Sequence, residues 1–221
     1  MPRARTETMT ASKVTIRKHA LEKRDLINAA EAHEAASAVM AAALELTRRL
    51  SGGARPAVSL YWPIRSEVNT RPLIEALHAQ GFPILLPAMT AVRQPLHFRA
   101  FAPGDDLEKG PFGLSEPSPQ RPEGRPAMVF APLAAFDRRG VRLGYGGGIY
   151  DATLQALRAT GPVTAVGLAY ALQECEAVPS EPHDQRLNFV LTERETIDCA
   201  KNAEITLRSA RSPERRERDR F

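Results

Sequence analysis

Apolar residues first recur at helical spacing in Lys13–Arg24, at Val14, Ile16, Ala20 and Leu21, behind Ser12, a residue type that caps helix N-termini. A second helix is predicted over 30–50, with Val39, Met40, Ala43, Leu44 and Leu46 on one face. The pattern then changes. Residues 57–62 read as a strand, 70–80 as an amphipathic helix stopped by Gly81, and 83–87 as a buried strand. Residues 96–101 alternate as a half-exposed strand should, and 128–133 form another buried strand. A helix starting at Ala152 and strands over 163–170 and 188–192 complete the set. Strands alternating with helices predict a largely parallel α/β sheet covered on both faces. Ligands in such sheets bind beyond the carboxyl ends of the strands.

At 221 residues with 43% apolar and 25% charged content, the chain can bury a sizeable core, and no interior stretch reads as a linker between domains. The Pro-rich run Glu116–Pro126 is predicted to be a surface loop, partly polyproline II. No apolar run reaches the length of a membrane span, and the N-terminus lacks the apolar core of an export signal, so a cytoplasmic protein is expected. Cys175 and Cys199 have no metal-type spacing and are expected to be reduced thiols. Charge is uneven. The tail 201–221 holds seven Lys/Arg against four Asp/Glu, a net +3, leaving +1 of the total +4 for the other 200 residues. With little to bury, this tail is expected to be disordered, as is the leader 1–11, and any nucleic-acid contact would come through the tail.

The densest chemistry lies in Arg142-Leu-Gly-Tyr-Gly-Gly-Gly-Ile-Tyr-Asp151. Glycines at 144, 146, 147 and 148 let the backbone take positive φ and approach a ligand closely. Backbone N–H groups at a helix start attract phosphate, arginine adds a forked cationic donor, and Asp151 offers an oxygen to the magnesium that accompanies nucleotide phosphates. The run is not a Walker A loop, since it lacks the Gly-Lys-Ser/Thr ending, and its glycines do not fit the dinucleotide fingerprint. A purely structural tight turn is the alternative. Three further segments stand out. Trp62-Pro-Ile-Arg-Ser-Glu67 follows a strand directly, so Glu67 is expected at the ligand edge, or else as helix-terminal charge with Thr70 as N-cap. Pro179–Asp184 sets His183 and Asp184 in a proline-bounded loop. Lys13 and Arg17, four apart, share a helical face suited to a polyphosphate or simply to solvent.

Together these segments resemble the 5-formyltetrahydrofolate cyclo-ligase (5,10-methenyltetrahydrofolate synthetase) family over about residues 12–195. The most specific element is Ala135-Phe-Asp-Arg-Arg-Gly-Val-Arg-Leu-Gly-Tyr-Gly-Gly-Gly-Ile-Tyr-Asp151. Lys-x-x-x-Arg at 13 and 17, Tyr61-Trp-Pro to Glu67, Pro111-Phe-Gly-Leu-Ser-Glu-Pro117, Gln173 and 179–192 complete the match. The resemblance implies a single-domain, three-layer α/β/α fold with a mostly parallel sheet, NagB/RpiA/CoA transferase-like, over 12–200. It implies a monomeric enzyme that uses ATP and Mg2+ to cyclise 5-formyltetrahydrofolate to 5,10-methenyltetrahydrofolate, releasing ADP and phosphate through phosphorylation of the N5-formyl oxygen. Lys13, Arg17 and Arg142 through Tyr150 (Leu143, Gly144, Tyr145, Gly146, Gly147, Gly148 and Ile149 between them) resemble the ATP-binding positions. Trp62, Glu67 and Tyr145 to Ile149 resemble the folate side. Asp151 and Asp184 resemble the magnesium carboxylates, and Arg142 and Tyr150 are the expected catalytic groups.

The chain departs from the family at two places. Ile149 replaces a tyrosine, keeping an apolar wall but losing a ring face and hydroxyl, and Asn188 stands where an acidic residue is common. A non-catalytic nucleotide- or RNA-binding accessory protein on the same scaffold is the alternative from another class.

Overall fold

The computed structural model describes residues 12–110 and 113–202. The leader 1–11, Pro111, Phe112 and the tail from 203 onward lie outside the described residues, so the expectations of a loose leader and tail are not addressed by it.

Helix α1 (Lys13–Asp25) starts where the sequence places it, with the Ser12 hydroxyl accepting the Thr15 N–H at 3.2 Å. Of its apolar positions Ala20 is buried and Ile16 and Leu21 are half-buried, Ile16 and Ala20 packing with Ala135, Val141, Leu143 and Val178, while Val14 is 69% exposed. The same side of α1 also carries Lys13, Arg17 and the buried Arg24, because it faces the cleft as well as this small core. Helix α2 (Ala29–Ser51) opens with a capping box: Asn28 accepts the N–H groups of Ala30 and Glu31, and Glu31 reaches back to the Asn28 N–H.

Five parallel strands form the centre: β1 (Val58–Ser59), β2 (Ile84–Ala88), β6 (Met128–Pro132), β9 (Thr164–Leu168) and β10 (Phe189–Leu191). Antiparallel β3 (His97–Phe101) and β11 (Thr196–Asp198) close the edges, giving the order β11-β10-β9-β6-β1-β2-β3. Alternate side chains of each strand enter separate cores. Ile84, Leu86, Met128, Phe130, Val166 and Leu191 pack with α2 and α3 (Arg71–Ala79) on one face. Leu85, Val129, Ala165 and Val190 pack with Leu154 of α4 (Ile149–Thr160) on the other. This is the three-layer, mostly parallel α/β arrangement expected. Burying both faces of five strands supplies the main apolar driving force for the fold.

Two small hairpins escape the periodicity argument because two- and three-residue strands carry no period. They are β4 (Leu107–Lys109) with β5 (Ser115–Pro117), and β7 (Ala135–Phe136) with β8 (Arg142–Leu143). The Pro-rich run is also more ordered than a surface loop. Pro122 O accepts the Ala100 N–H at 2.8 Å and the Gly124 N–H donates to Phe98 O at 2.9 Å, so the run covers edge strand β3. From β1 the chain crosses through α3 to β2 on one side, while β6 lies on the other. The order therefore reverses between β1 and β6, and the crevice beyond their carboxyl ends is the default ligand site of such sheets.

Candidate active site

A cavity of about 350 Å³ opens at that crevice, bordered by Tyr61 and Trp62 after β1 and by Pro132 at the end of β6. Lys13, Arg17, Trp62, Glu67, every residue from Arg142 to Asp151, and Asp184 all border this one cavity, although up to 171 residues separate them in sequence.

The β7–β8 hairpin aims the glycine run. The buried Asp137 carboxylate accepts the N–H groups of Arg139, Val141 and Val178 and pairs with the Arg139 guanidinium at 2.6 Å, fixing the turn that delivers Arg142. Beyond β8 the backbone turns through Gly146 (φ 99°) and Gly148 (φ 63°), and Gly148 is the N-cap of α4. The helix thus begins at Ile149, inside the run. A Cβ on Gly147 would lie 3.1 Å from Ile149 Cδ1, so a side chain there would press on the movable end of Ile149. Among the described residues, none accepts a hydrogen bond from the backbone N–H groups of Tyr145 through Ile149. A run of unpaired amides leading into a helix N-terminus is the kind of backbone that can serve as an anion cradle.

The charged groups around the cradle are paired with one another. Lys13 Nζ lies 2.8 Å from Asp184 Oδ2 and 3.1 Å from Glu181 Oε1. Arg17 Nε donates to Gly144 O at 2.6 Å, tying α1 to the run. Arg142 Nη2 donates to Asp151 Oδ1 at 2.9 Å and its Nη1 to Gln185 O, so the forked guanidinium expected to face a phosphate is spent on the protein. Arg142 is 9% exposed, borders the cavity, and holds Asp151 and the 185 loop in place. Burial pulls the Arg142 guanidinium below its ordinary value, opposed by the Asp151 charge. Burial pushes Asp184 up, but hydrogen bonds from Lys13 and the Glu181 N–H outweigh it and hold the carboxyl below its ordinary 3.8. Lys13 is raised above its ordinary 10.5, its two carboxylate partners outweighing desolvation. His183, exposed, borders the cavity beside Asp184.

Two carboxylates on one cavity suit Mg2+, which is usually held by one or two carboxylates plus substrate phosphates. Asp151 Oδ2 bears no hydrogen bond among the described residues, and no group of three or more His, Cys, Asp or Glu gathers there as an all-protein cage.

The opposite wall is apolar and aromatic. Trp62 meets Phe101 edge to face at 5.8 Å between centroids and lies 4.5 Å under the Arg71 guanidinium. Glu67, 8% exposed, accepts the Ile64 N–H at 3.0 Å, and burial raises its carboxyl above the ordinary range. Thr70 sits at the α3 N-cap, but its hydroxyl donates to Tyr61 O at 2.6 Å instead of capping, so it anchors the helix to β1. Tyr150 is raised well above its ordinary value by burial first and by the Glu67 charge second, so it stays a neutral hydroxyl, a hydrogen-bond donor rather than a base. Gln173 donates to Leu133 O and Ala134 O, a structural clamp. Asn188 Oδ1 accepts the Ala165 N–H at 2.8 Å, a bond an aspartate could equally accept.

Sequence reasoning missed Glu116, which borders the cavity and accepts the Met89 N–H, and Arg24 and Arg65, whose guanidinia lie 5.8 and 5.7 Å from the Tyr145 ring centroid. Arg24 was the readable one: it continues the stripe 13, 17, 20, 24 on one helical face.

A mostly parallel sheet covered on both faces, with a glycine-rich turn and an aromatic wall meeting in one crevice, defines a three-layer α/β protein with one composite cleft. The chain belongs to the 5-formyltetrahydrofolate cyclo-ligase family, whose model matches residues 9–193, and it is an enzyme of that family. It is 32% identical over 187 residues to the 5-formyltetrahydrofolate cyclo-ligase of Haemophilus influenzae, covering 82% of this chain and 98% of the relative. It is 35% identical over 148 residues to that of Mycolicibacterium smegmatis, covering 63% and 75%. The NMR structure of Aquifex aeolicus 5,10-methenyltetrahydrofolate synthetase superposes with a TM-score of 0.70 at 26% identity, covering 85% of this chain and 92% of that one. The Mycoplasma pneumoniae synthetase shares the fold at a TM-score of 0.64 and 20% identity, over 83% and 99%.

Proposed function

We propose that this cleft closes the ring of 5-formyltetrahydrofolate to 5,10-methenyltetrahydrofolate at the expense of ATP, releasing ADP and phosphate. The observation that carries the reading is the meeting of the unpaired amides of residues 145–149 with the Trp62–Glu67 wall in one cavity. The N5-formyl oxygen takes the γ-phosphoryl group as ADP departs. N10 then attacks the activated formyl carbon, and the carbon–oxygen bond breaks as phosphate leaves. Such transfer needs positioning and charge neutralisation rather than a protein nucleophile.

The roles follow from what each side chain can offer. The amides of Tyr145–Ile149 receive the transferring phosphoryl oxygens. Lys13 and Arg17 flank the polyphosphate, Lys13 by leaving Asp184. Arg142 acts by holding Asp151, and the neutral Tyr150 hydroxyl donates a hydrogen bond at the reacting end. Trp62 and Ile149 wall the folate ring, and Glu67 accepts from its polar edge. Mg2+, held by Asp151 and Asp184 together with the phosphates, would neutralise charge on the nucleotide. We read residues 12–200 as one cyclo-ligase domain acting as a cytoplasmic monomer, a setting that suits the two free cysteines.

The test is direct. Purified protein given 5-formyltetrahydrofolate and Mg-ATP should develop the absorbance of the methenyl product, and a flat trace from folded protein overturns the reading.

A further inference from the structure

Arg24 is 1% exposed, yet among the described residues no carboxylate forms an ion pair with it. A buried guanidinium without a counter-ion is costly, and it persists only where its donors are well satisfied. Its three donors reach three separate pieces of the cleft. Nε donates to Ser66 Oγ at 3.0 Å in the segment between β1 and α3, next to Glu67. Nη1 donates to Leu133 O at 3.4 Å just past β6, and Nη2 donates to the Tyr145 hydroxyl at 2.7 Å in the glycine run. Ser66 is itself oriented, since its hydroxyl donates to the Asp25 carboxylate. Tyr145 is 41% exposed even so, and the Arg24 bond joins a hydrogen bond to Glu67 and the Arg65 guanidinium in holding its ring. The Arg24 charge also acts on Glu67, opposing the upward push of burial on that carboxyl.

We propose that Arg24 is a positioning residue that locks Tyr145 of the glycine run to the Ser66–Glu67 segment, so that the phosphate and folate halves of the cleft are set as one unit. A rigid fork with several directed donors can do this, and a lysine ammonium cannot. Its kinetic consequences rest on the cyclo-ligase reading; its structural consequence does not. Chymotrypsin separates the two, because it cuts after a tyrosine or phenylalanine that is free to leave its site. Loss of a hydrogen bond to a charged donor should raise the cleavage rate after residue 145 by about tenfold in folded Arg24→Gln protein. Tyr145→Phe should behave similarly while leaving Arg24 in place, which keeps the test alive if Arg24→Gln does not fold. Arg24→Lys should fail to restore protection.

In turnover, each single variant should lose about tenfold in kcat/KM for the folate through KM. The double variant should lose no more than the worse single, because both remove one contact. Cleavage at residue 145 unchanged from wild type in Tyr145→Phe overturns the proposal, and so do additive kinetic losses. A wild-type protein without turnover whose Tyr145 is released by both variants would sink the cyclo-ligase reading and leave the lock standing.

Discussion

Lys13 and Arg142 bear on how a cleft that gathers several cations folds. Each cation is held by a carboxylate that the family resemblance assigns to magnesium, Asp184 for Lys13 and Asp151 for Arg142. Such pairs limit the cost of gathering like charge in one cleft. The Lys13–Asp184 pair sets a pH dependence. Because the Asp184 carboxyl is held below its ordinary 3.8 in the folded protein, its contribution is complete above that pH and is lost as pH falls through the lower folded value. Lys13 is raised, so its share is complete below 10.5 and fades only as pH climbs past it. Urea midpoints of wild type and Asp184→Asn should therefore differ near neutrality and converge in the acid range, below about pH 3.8. A gap that persists there would mean the carboxylate charge is not what stabilises. At Asp151 the charge matters differently. Asp151→Asn keeps an oxygen for the Gln185 N–H but no longer neutralises buried Arg142, so stability should fall by about 3 kcal/mol, read by urea unfolding.

The glycine turn and helix α1 are the elements that make the site, and they differ in how far the sequence exposes them. The turn was legible because chemistry is dense there: four glycines between an arginine and an aspartate have few bland explanations. Its geometry was less so, since only Gly146 and Gly148 of those four take positive φ. Neighbouring positions should respond oppositely. Gly148→Ala meets only ordinary contact, with Arg93 Cγ 3.8 Å away, but must hold φ at 63°, costing about 1–2 kcal/mol. Gly147→Ala has no such penalty, but it pushes on Ile149 and so should raise KM while barely moving the melting temperature. Thermal melts and substrate titrations of the two variants check the contrast. Helix α1 was legible only in part: hydrophobic periodicity finds Ile16 and Ala20, which pack on a small core, but not Arg24, which is buried by polar partners. The β7–β8 hairpin is invisible because Asp137, rather than any strand pattern, holds its turn.

At the scale of the whole molecule, the reversal of strand order between β1 and β6 explains why segments far apart in sequence converge. Alternating helices and strands made the layered sheet legible, but strand order is a long-range property, and only the site residues hinted at where the crevice lies. Because α1, the β1–α3 segment, the hairpin and α4 all contribute walls, ligands should stabilise the entire fold rather than one loop. A ligand at a hundred times its Kd adds about 2.7 kcal/mol, which for a protein of this size is about 5–10 °C in Tm. Mg-ATP and folate should each produce such a rise. The chain's only tryptophan, Trp62, stands in the aromatic wall proposed to meet the folate, so its fluorescence reports that wall specifically. Folate analogue should change Trp62 emission saturably with a midpoint matching the thermal shift, whereas Mg-ATP alone should raise Tm with a smaller change in emission. Equal responses of Trp62 to both ligands would place the nucleotide against the aromatic wall and reverse the assignment of the two halves.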